Sequence, residues 1–483
     1  MSDSISQLHK RAGADARTLV FCVTALSLVF MYAWVLNAEV LPALDPLSPA
    51  MRDALVGAKA VTLVAVAIAA GGRYREVLLR SLVGVSLLSI VFGIAGYMAA
   101  LFMHSTDLHV FGAFASSIGA SLAAVVVGVA CLSLSLPVLG AAVAGAYVLS
   151  FAWRALFAVA AVSEGYMVAP LICIIAVLLV HRPARSGLAC ISASPSSPDA
   201  ALAQPNSFLS MLNQIFVCML VFRVVYGLAL TAGETLRIPV DSSIVFAPLA
   251  AAFLYALFCF ARRRSLDADF LFYAASLCVV AGLSLFQAES AFSEGFVNAF
   301  LYTGSALFDM LSWYVLVALG SRNHAMAIKA FAWGSAMKAF GSIAGAFLGR
   351  AMNAGALGPI DRSVLVAVTT VAFVSYVVHF ASTFRITRTI ACVEPVQEIS
   401  VSHAVPDETF EARCAAVAAE FSLTPREAEV FELLARGRNG NYIKDALTIS
   451  YNTVKTHVAH VYDKAGVHSQ QELIDLVVGA KGI

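Results

Sequence analysis

The sequence predicts an all-α protein in two parts: a polytopic membrane helix bundle of six plus six spans, then a small polar domain of four helices. Three observations carry this reading. Hydrophobic residues make up 60% of the 483-residue chain and charged residues only 13%, where soluble domains average about 25% charged. Apolar runs of about 20 residues, the length that crosses hydrocarbon, recur along the first 384 residues. The stretch from Leu423 to Val477 breaks that pattern, being polar and periodic at helical spacing.

The apolar runs fall near 18–37, 54–71, 82–103, 108–131, 137–160 and 165–181, then near 208–230, 244–261, 268–287, 295–319, 327–349 and 363–384. They form two halves, 1–181 and 208–384, separated by a polar loop at 182–207 rich in Pro, Ser and Ala. This six-plus-six layout resembles that of major facilitator transporters, which implies a transporter-like bundle for residues 1–384. The Gly71-Gly72 pair with Arg73 and Arg75 stands where transporters of that layout carry a Gly/Asp/Arg gating motif, here without the aspartate.

Basic residues set the expected orientation, because they are retained on the cytoplasmic side of short loops. Arg17, Arg73, Arg75, Arg80, Arg264, Arg322, Arg385 and Arg388 fall on one side of an even count of spans. Asp53, Asp107 and Glu289 fall on the other, with Arg237, Arg350 and Arg362 as exceptions. Both termini are therefore expected in the cytoplasm of a bacterial cell, with the chain in the inner membrane. The first apolar stretch is too long for a signal peptide and is followed by further spans.

Charges inside hydrocarbon are costly, roughly 2.5–3.5 kcal/mol each on insertion scales, so they face a cavity or one another. Arg154, Arg223, Asp309 and Lys338 lie within expected spans, and Lys59 lies near the start of another. Two readings stay open: a pocket for a small anionic or aromatic ligand between the halves, or ion pairs that merely hold the bundle together. Trp153, Tyr226, Trp313, Tyr314 and Trp333 lie near these charges and supply stacking surfaces for the first reading. Nine cysteines are scattered without a CxxC pair or Cys-His cluster, so neither a metal site nor a cofactor is expected. No nucleophile–base pair or phosphate-binding loop stands out, and the chain is not expected to be an enzyme.

The polar domain starts with signals that need no comparison. Thr424-Pro425 opens a helix as cap and first residue, with Glu427 at capping-box spacing, and Gly437 ends it. A second helix is expected around Asn441–Leu447, and a third, capped by Ser450, over Tyr451–Ala465. Val454, Val458, Val461, Tyr462 and Ala465 form the packed side of the third helix, leaving Asn452, Lys455, Thr456 and Ala459 outward. A helix with one docked side and a small polar, cationic outer side fits a major groove. Ser450, Tyr451 and Thr453 at its start suit phosphate oxygens. Lys plus Arg and Asp plus Glu balance at seven each from Phe421 onward, so weak non-specific DNA affinity is expected.

The run of Leu423-Thr424, Arg426-Glu427, Leu433-Leu434-Ala435, Ile449-Ser450, Asn452-Thr453-Val454-Lys455-Thr456-His457-Val458 and Gly466-Val467-His468-Ser469 resembles the LuxR/GerE-type helix-turn-helix domain. The resemblance implies a four-helix domain whose third helix reads double-stranded DNA, with Lys455 and Thr456 at base-reading positions. It also implies a structural role for Glu427 and a homodimer helix over Ser469–Val478. Lys444 and Ala465 depart from it, standing where the family has alanine and leucine. Residues 385–406 read as a linker and 407–483 as the DNA-binding domain, opened by an amphipathic helix from Asp407.

Together these features predict a membrane-embedded, one-component transcriptional regulator that binds a small-molecule ligand in its bundle and DNA at its end. The alternative is a major-facilitator-like transporter with an appended regulatory domain.

Overall fold

The computed structural model describes residues 2–36, 48–160, 165–194, 202–204, 209–232, 246–262, 264–286, 294–354, 362–393 and 407–479. No strand occurs among them. Each expected apolar run contains a helix among the described residues. The first half comprises α1 (Ser2–Val35), α2 (Ser48–Gly71), α3 (Arg75–Met103), α4 (Thr106–Ala130), α5 (Leu136–Ala160) and α6 (Val168–Leu179). After α7 (His181–Ala193), the second half comprises α8 (Gln214–Ala232), α9 (Phe246–Ala261), α10 (Ala268–Phe286), α11 (Glu294–Arg322), α12 (Ala327–Asn353) and α13 (Arg362–Thr383). Among the described residues, eight helices are long and apolar enough to cross a membrane, or nine when the bent pair α6 and α7 counts as one span. Helix α12 has the length but is diluted by glycines, serines and Lys338.

That dilution is what lets α12 pack. Gly341, Gly345 and Gly349 recur every four residues and lie against the backbone of α8. A β-carbon at these positions would overlap, in turn, the Leu220 carbonyl oxygen, the Val224 carbonyl oxygen and the Thr231 hydroxyl. Apolar burial cannot drive helices together inside lipid, so close backbone contact over small residues does so instead. The same device joins α3 to α4, where Gly96 meets the Gly112 backbone at 2.9 Å from an added β-carbon.

Two stretches read as irregular in the sequence are partly helical. Residues 181–193 of the polar loop form α7, bent by 64° from α6, with Ala184 and Ile191 buried. Arg75 of α3 donates to the Ile191 carbonyl and fixes its last turn. The start of the expected linker forms α14 (Ile386–Cys392). Its first amides donate to the Asp269 carboxylate, Ile386 at 2.7 Å and Thr387 at 3.2 Å. This cap comes from a residue far away in the chain, so local periodicity could not announce it. Arg350, an exception to the charge rule, pairs with Asp53, which the sequence had assigned to the same side.

The chain divides into two compact units. The first holds the bundle: Met1–Ile191, Met211–Ser321 and Ala327–Ile390. The second contains Ser192–Ser210, Arg322–Met326 and Ala391–Ile483. Its helices are α15 (Asp407–Glu420), α16 (Pro425–Ala435), α17 (Gly440–Leu447), α18 (Tyr451–Ala465) and α19 (Gln470–Gly479). Phe431, Leu434, Ile443, Val454, Val461 and Leu473 are at its centre, each 1% exposed or less.

Gly345→Val is expected to split the α8–α12 pair, since overpacking typically costs about 1–3 kcal/mol and occasionally more. The check is the thermal midpoint of the detergent-purified protein, which should fall clearly, whereas the same change at Gly57, where an added β-carbon meets nothing within 4 Å, should leave it near wild type.

Candidate DNA-reading face and bundle cavity

The polar domain is built from its caps inward. The Thr424 hydroxyl accepts from the Glu427 amide at 3.4 Å, and the Glu427 carboxylate accepts from the Thr424 amide at 2.9 Å, completing the capping box. The same carboxylate accepts from Lys464 Nζ at 2.7 Å and lies 3.5 Å from His460 Nδ1. Glu427 thus ties the first turn of α16 to the last turn of α18. Lys464, then the Thr424 amide, hold this carboxyl down from 4.5 to about 2. At the other end of α16, Gln470 donates to the Leu434 carbonyl at 2.8 Å and the Arg438 carbonyl at 3.2 Å. Neither Lys464 nor Gln470 was singled out from sequence, because both act on residues more than thirty positions away.

Asn439 caps α17 through the Tyr442 amide at 2.9 Å, and Thr448 ends it in the left-handed region at φ 52°. Ser450 then caps α18, accepting from the Thr453 amide at 3.1 Å. The expected inner side of α18 is buried and the expected outer side is exposed: Ser450, Asn452, Thr453, Lys455, Thr456 and Ala459 all face out, with Tyr451 half-buried. Lys455 Nζ lies over the Tyr451 ring at 5.6 Å. The Thr456 hydroxyl donates to the Asn452 carbonyl at 3.1 Å, so its hydrogen is already used within the helix. Lys444, one of the two departures, is half-buried and pairs with Asp445 at 3.1 Å. Ala465 is 8% exposed within the core, so the smaller residue is accommodated there.

In the bundle, the charges sort themselves differently from one another. Arg223 of α8 pairs with Asp309 of α11 and donates to Ser305 at 3.1 Å. Lys338 of α12 reaches the same Asp309 oxygen at 3.1 Å. These three line a cavity of about 340 Å³ between α1, α2, α4, α8, α11 and α12, which draws on both halves. Lys59, noted from sequence near the start of a span, and Arg52, which was not noted, line it too. The cavity therefore carries four cationic side chains and one carboxylate. Trp313, Tyr226, Phe30 and Tyr32 provide aromatic wall, and the buried Tyr32 hydroxyl has no hydrogen-bond partner among the described residues. Arg154 does not line this cavity; it stacks over Phe151 at 4.4 Å and Trp34 at 6.0 Å. Trp153 and Trp333 are likewise used elsewhere, donating to Ser27 and to the Met211 carbonyl at 2.9 Å each. Among the described residues no group of His, Cys, Asp and Glu is placed to hold a metal ion.

The family model for bacterial regulatory proteins of the luxR family matches residues 421–477. The C-terminal segment is a LuxR-family helix-turn-helix domain. Over 54 residues it is 43% identical to HTH-type transcriptional regulators of Mycobacterium bovis and Mycobacterium tuberculosis, a match that covers 11% of this chain and 6% of each relative. The bundle is similar to the major facilitator superfamily proton:xylose symporter XylE solved with 6-bromo-6-deoxy-D-glucose. That likeness has a TM-score of 0.52 at 12% identity and covers 78% of this chain and 98% of the symporter. A bacterial homologue of the iron transporter ferroportin aligns at a TM-score of 0.44 and 14% identity, over 76% of this chain and 98% of its own. The protein is thus a multi-pass membrane protein with a transporter-like bundle joined to a DNA-binding regulator domain.

Glu427 makes the domain sensitive to acid in a definite direction. Because folding lowers this carboxyl, the stabilisation it brings is fully present above pH 4.5 and is lost as pH falls towards 2. Hydrogen exchange of α16 and α18 against pH should show this loss, and Glu427→Gln should lower protection at neutral pH while flattening the profile. In the bundle, Asp309→Asn removes the carboxylate between Arg223 and Lys338. Breaking such a buried pair costs about 3–5 kcal/mol, and the thermal midpoint should fall accordingly, with partial recovery when a polyvalent anion is added.

Proposed function

We propose that this chain is a one-component transcriptional regulator embedded in the inner membrane, which binds a small anionic ligand in its bundle and reads promoter DNA with α18. The observation that carries the DNA half is the prebuilt outer side of α18, exposed over Asn452, Lys455, Thr456 and Ala459 while its inner side is locked into the core. Lys455 offers a donor to guanine acceptors, and the methyl groups of Thr456 and Ala459 suit a thymine methyl. Ser450, Tyr451 and Thr453 sit where backbone phosphates approach the helix N-terminus. Helix α19 buries Leu473 and Val477 and leaves Glu472, Asp475 and Val478 exposed, a face available to a second copy when two half-sites are occupied.

The excess of cations over carboxylate in the cavity supports the ligand half. An anion with an aromatic or apolar body would meet Arg52 or Lys59 at its charge and Trp313 or Phe30 at its body. Neutralising that excess would favour one arrangement of the two halves, and a ligand shifts a conformation only by its difference in affinity for the two arrangements.

Lys455→Ala should lower affinity for the cognate promoter by about tenfold or more, in line with roughly 1–3 kcal/mol per base-reading contact, while membrane insertion is retained. Unchanged affinity of the purified full-length variant would remove the assignment. Proton-gradient-driven accumulation of a candidate anion in vesicles would instead mark the bundle as a transporter with an appended regulator.

A further inference from the structure

The chain between the two halves of the bundle contributes to the DNA-binding domain. Leu202 is 7% exposed and belongs to the apolar core that also holds Cys414, Val417, Val430, Val461 and Tyr462. Ala203 is buried beside it, and its carbonyl oxygen accepts a hydrogen bond from the Tyr462 hydroxyl at 3.2 Å. Gln204, 7% exposed, is buried as well. Tyr462 belongs to α18, the reading helix, and is buried two turns beyond the exposed Lys455. Besides the domain's own five helices, Leu202 from elsewhere in the chain takes part in its core, and Ala203 bonds to its reading helix.

Both ends of this connecting segment are fastened in the bundle. On one side, Arg75 of α3 donates to the carbonyl of Ile191, itself buried. On the other, Trp333 of α12 donates to the Met211 carbonyl at 2.9 Å. Arg75 belongs to the first half and Trp333 to the second, so one fastening moves with each half. Leu202–Gln204 lies close to midway between them in sequence. A rearrangement of one half against the other displaces the two fastenings relative to each other, and Leu202–Gln204 is joined through the chain to both.

We propose that Leu202–Gln204 is a clasp: an internal docking segment by which the chain joining the two halves is built into the back of the reading helix. Bundle conformation then sets how firmly α18 is packed. The clasp holds the helix through the buried Tyr462 and leaves Asn452, Lys455, Thr456 and Ala459 exposed, so it acts on the order and placement of the helix. This deepens the regulator reading above by naming its route of communication, and it makes the intact inter-half segment a requirement for a fully ordered DNA-binding domain.

The test uses the full-length chain in lipid nanodiscs, without DNA or ligand. In a background lacking the exposed Cys190 and Cys392, Ala203→Cys and Tyr462→Cys are joined with a short bifunctional thiol reagent. The expected result is a cross-link within one copy; its absence, or a cross-link only between copies, overturns the clasp. Hydrogen exchange gives the second readout. Leu202→Asp should speed exchange across Val454–Ala465 by about tenfold or more, and Tyr462→Phe, which removes one hydrogen bond, by less. Exchange unchanged in both variants also overturns it. Asp309→Asn should alter the yield of the 203–462 cross-link, and an identical yield would sever the clasp from the bundle. These readouts involve no promoter, so a failure of the clasp is distinguishable from a failure of DNA reading, which Lys455→Ala reports.

Discussion

Asp309 is a carboxylate set among helices that face lipid, and such a charge persists only where its counter-charges are brought to it. Arg223 and Lys338 come from two other helices, and both reach the same oxygen. They can do so because α8 and α12 approach backbone to backbone over Gly341, Gly345 and Gly349. Larger residues there would hold the two helices apart and carry Lys338 away from Asp309. The stacked rings of Phe222 and Phe308, 3.8 Å apart and nearly parallel, fix α8 against α11 one residue from the two pairing side chains. Steric smallness on one helix and charge on three are thus a single arrangement. The cavity beside this cluster is lined by further cations, Arg52 and Lys59, beyond the two that Asp309 holds.

The reading domain follows a different logic. Its order comes from hydrogen bonds that join the ends of helices rather than from apolar area alone. Glu427 serves at once as half of a capping box and as the anchor of Lys464, so the first turn of α16 and the last turn of α18 share one side chain. Gln470 performs a similar service for the far end of α16. A helix held at its inner side and its C-terminal end presents its outer side without further rearrangement. DNA contact then costs little ordering of the protein.

What could be read from sequence depended on the range of the interaction that expressed it. The two sides of α18, its Ser450 cap and the capping box at Thr424 are local patterns, and each stood in the chain as spacing. The membrane helices were equally plain, since a long apolar run has few other structures open to it. Arg223, Asp309 and Lys338 stood out because charges are rare in such runs. Their neighbours Arg52 and Lys59 lie just before and near the start of the apolar run expected at 54–71, where a basic residue also suits the lipid interface, and spacing gives no means to separate the two. Arg154 looked equivalent to Arg223, but a lone charge in a uniformly apolar helix carries no mark of which side turns inward. The helices at Ile386 and His181 were hidden for a related reason: each is settled by a partner, Asp269 or Arg75, more than a hundred residues away.

Helix α14 shortens the chain left over between bundle and reader. It runs to Cys392, and α15 begins at Asp407, so even a fully stretched connection spans no more than about 50 Å. That is roughly the length of fifteen base pairs of duplex. On the proposed inner-membrane reading, a domain held on so brief a leash would not search the nucleoid as a freely diffusing protein does. On the proposed reading the chromosome has to visit it, and genes that pass near the envelope would be met far more often than equally good sites deep in the cell.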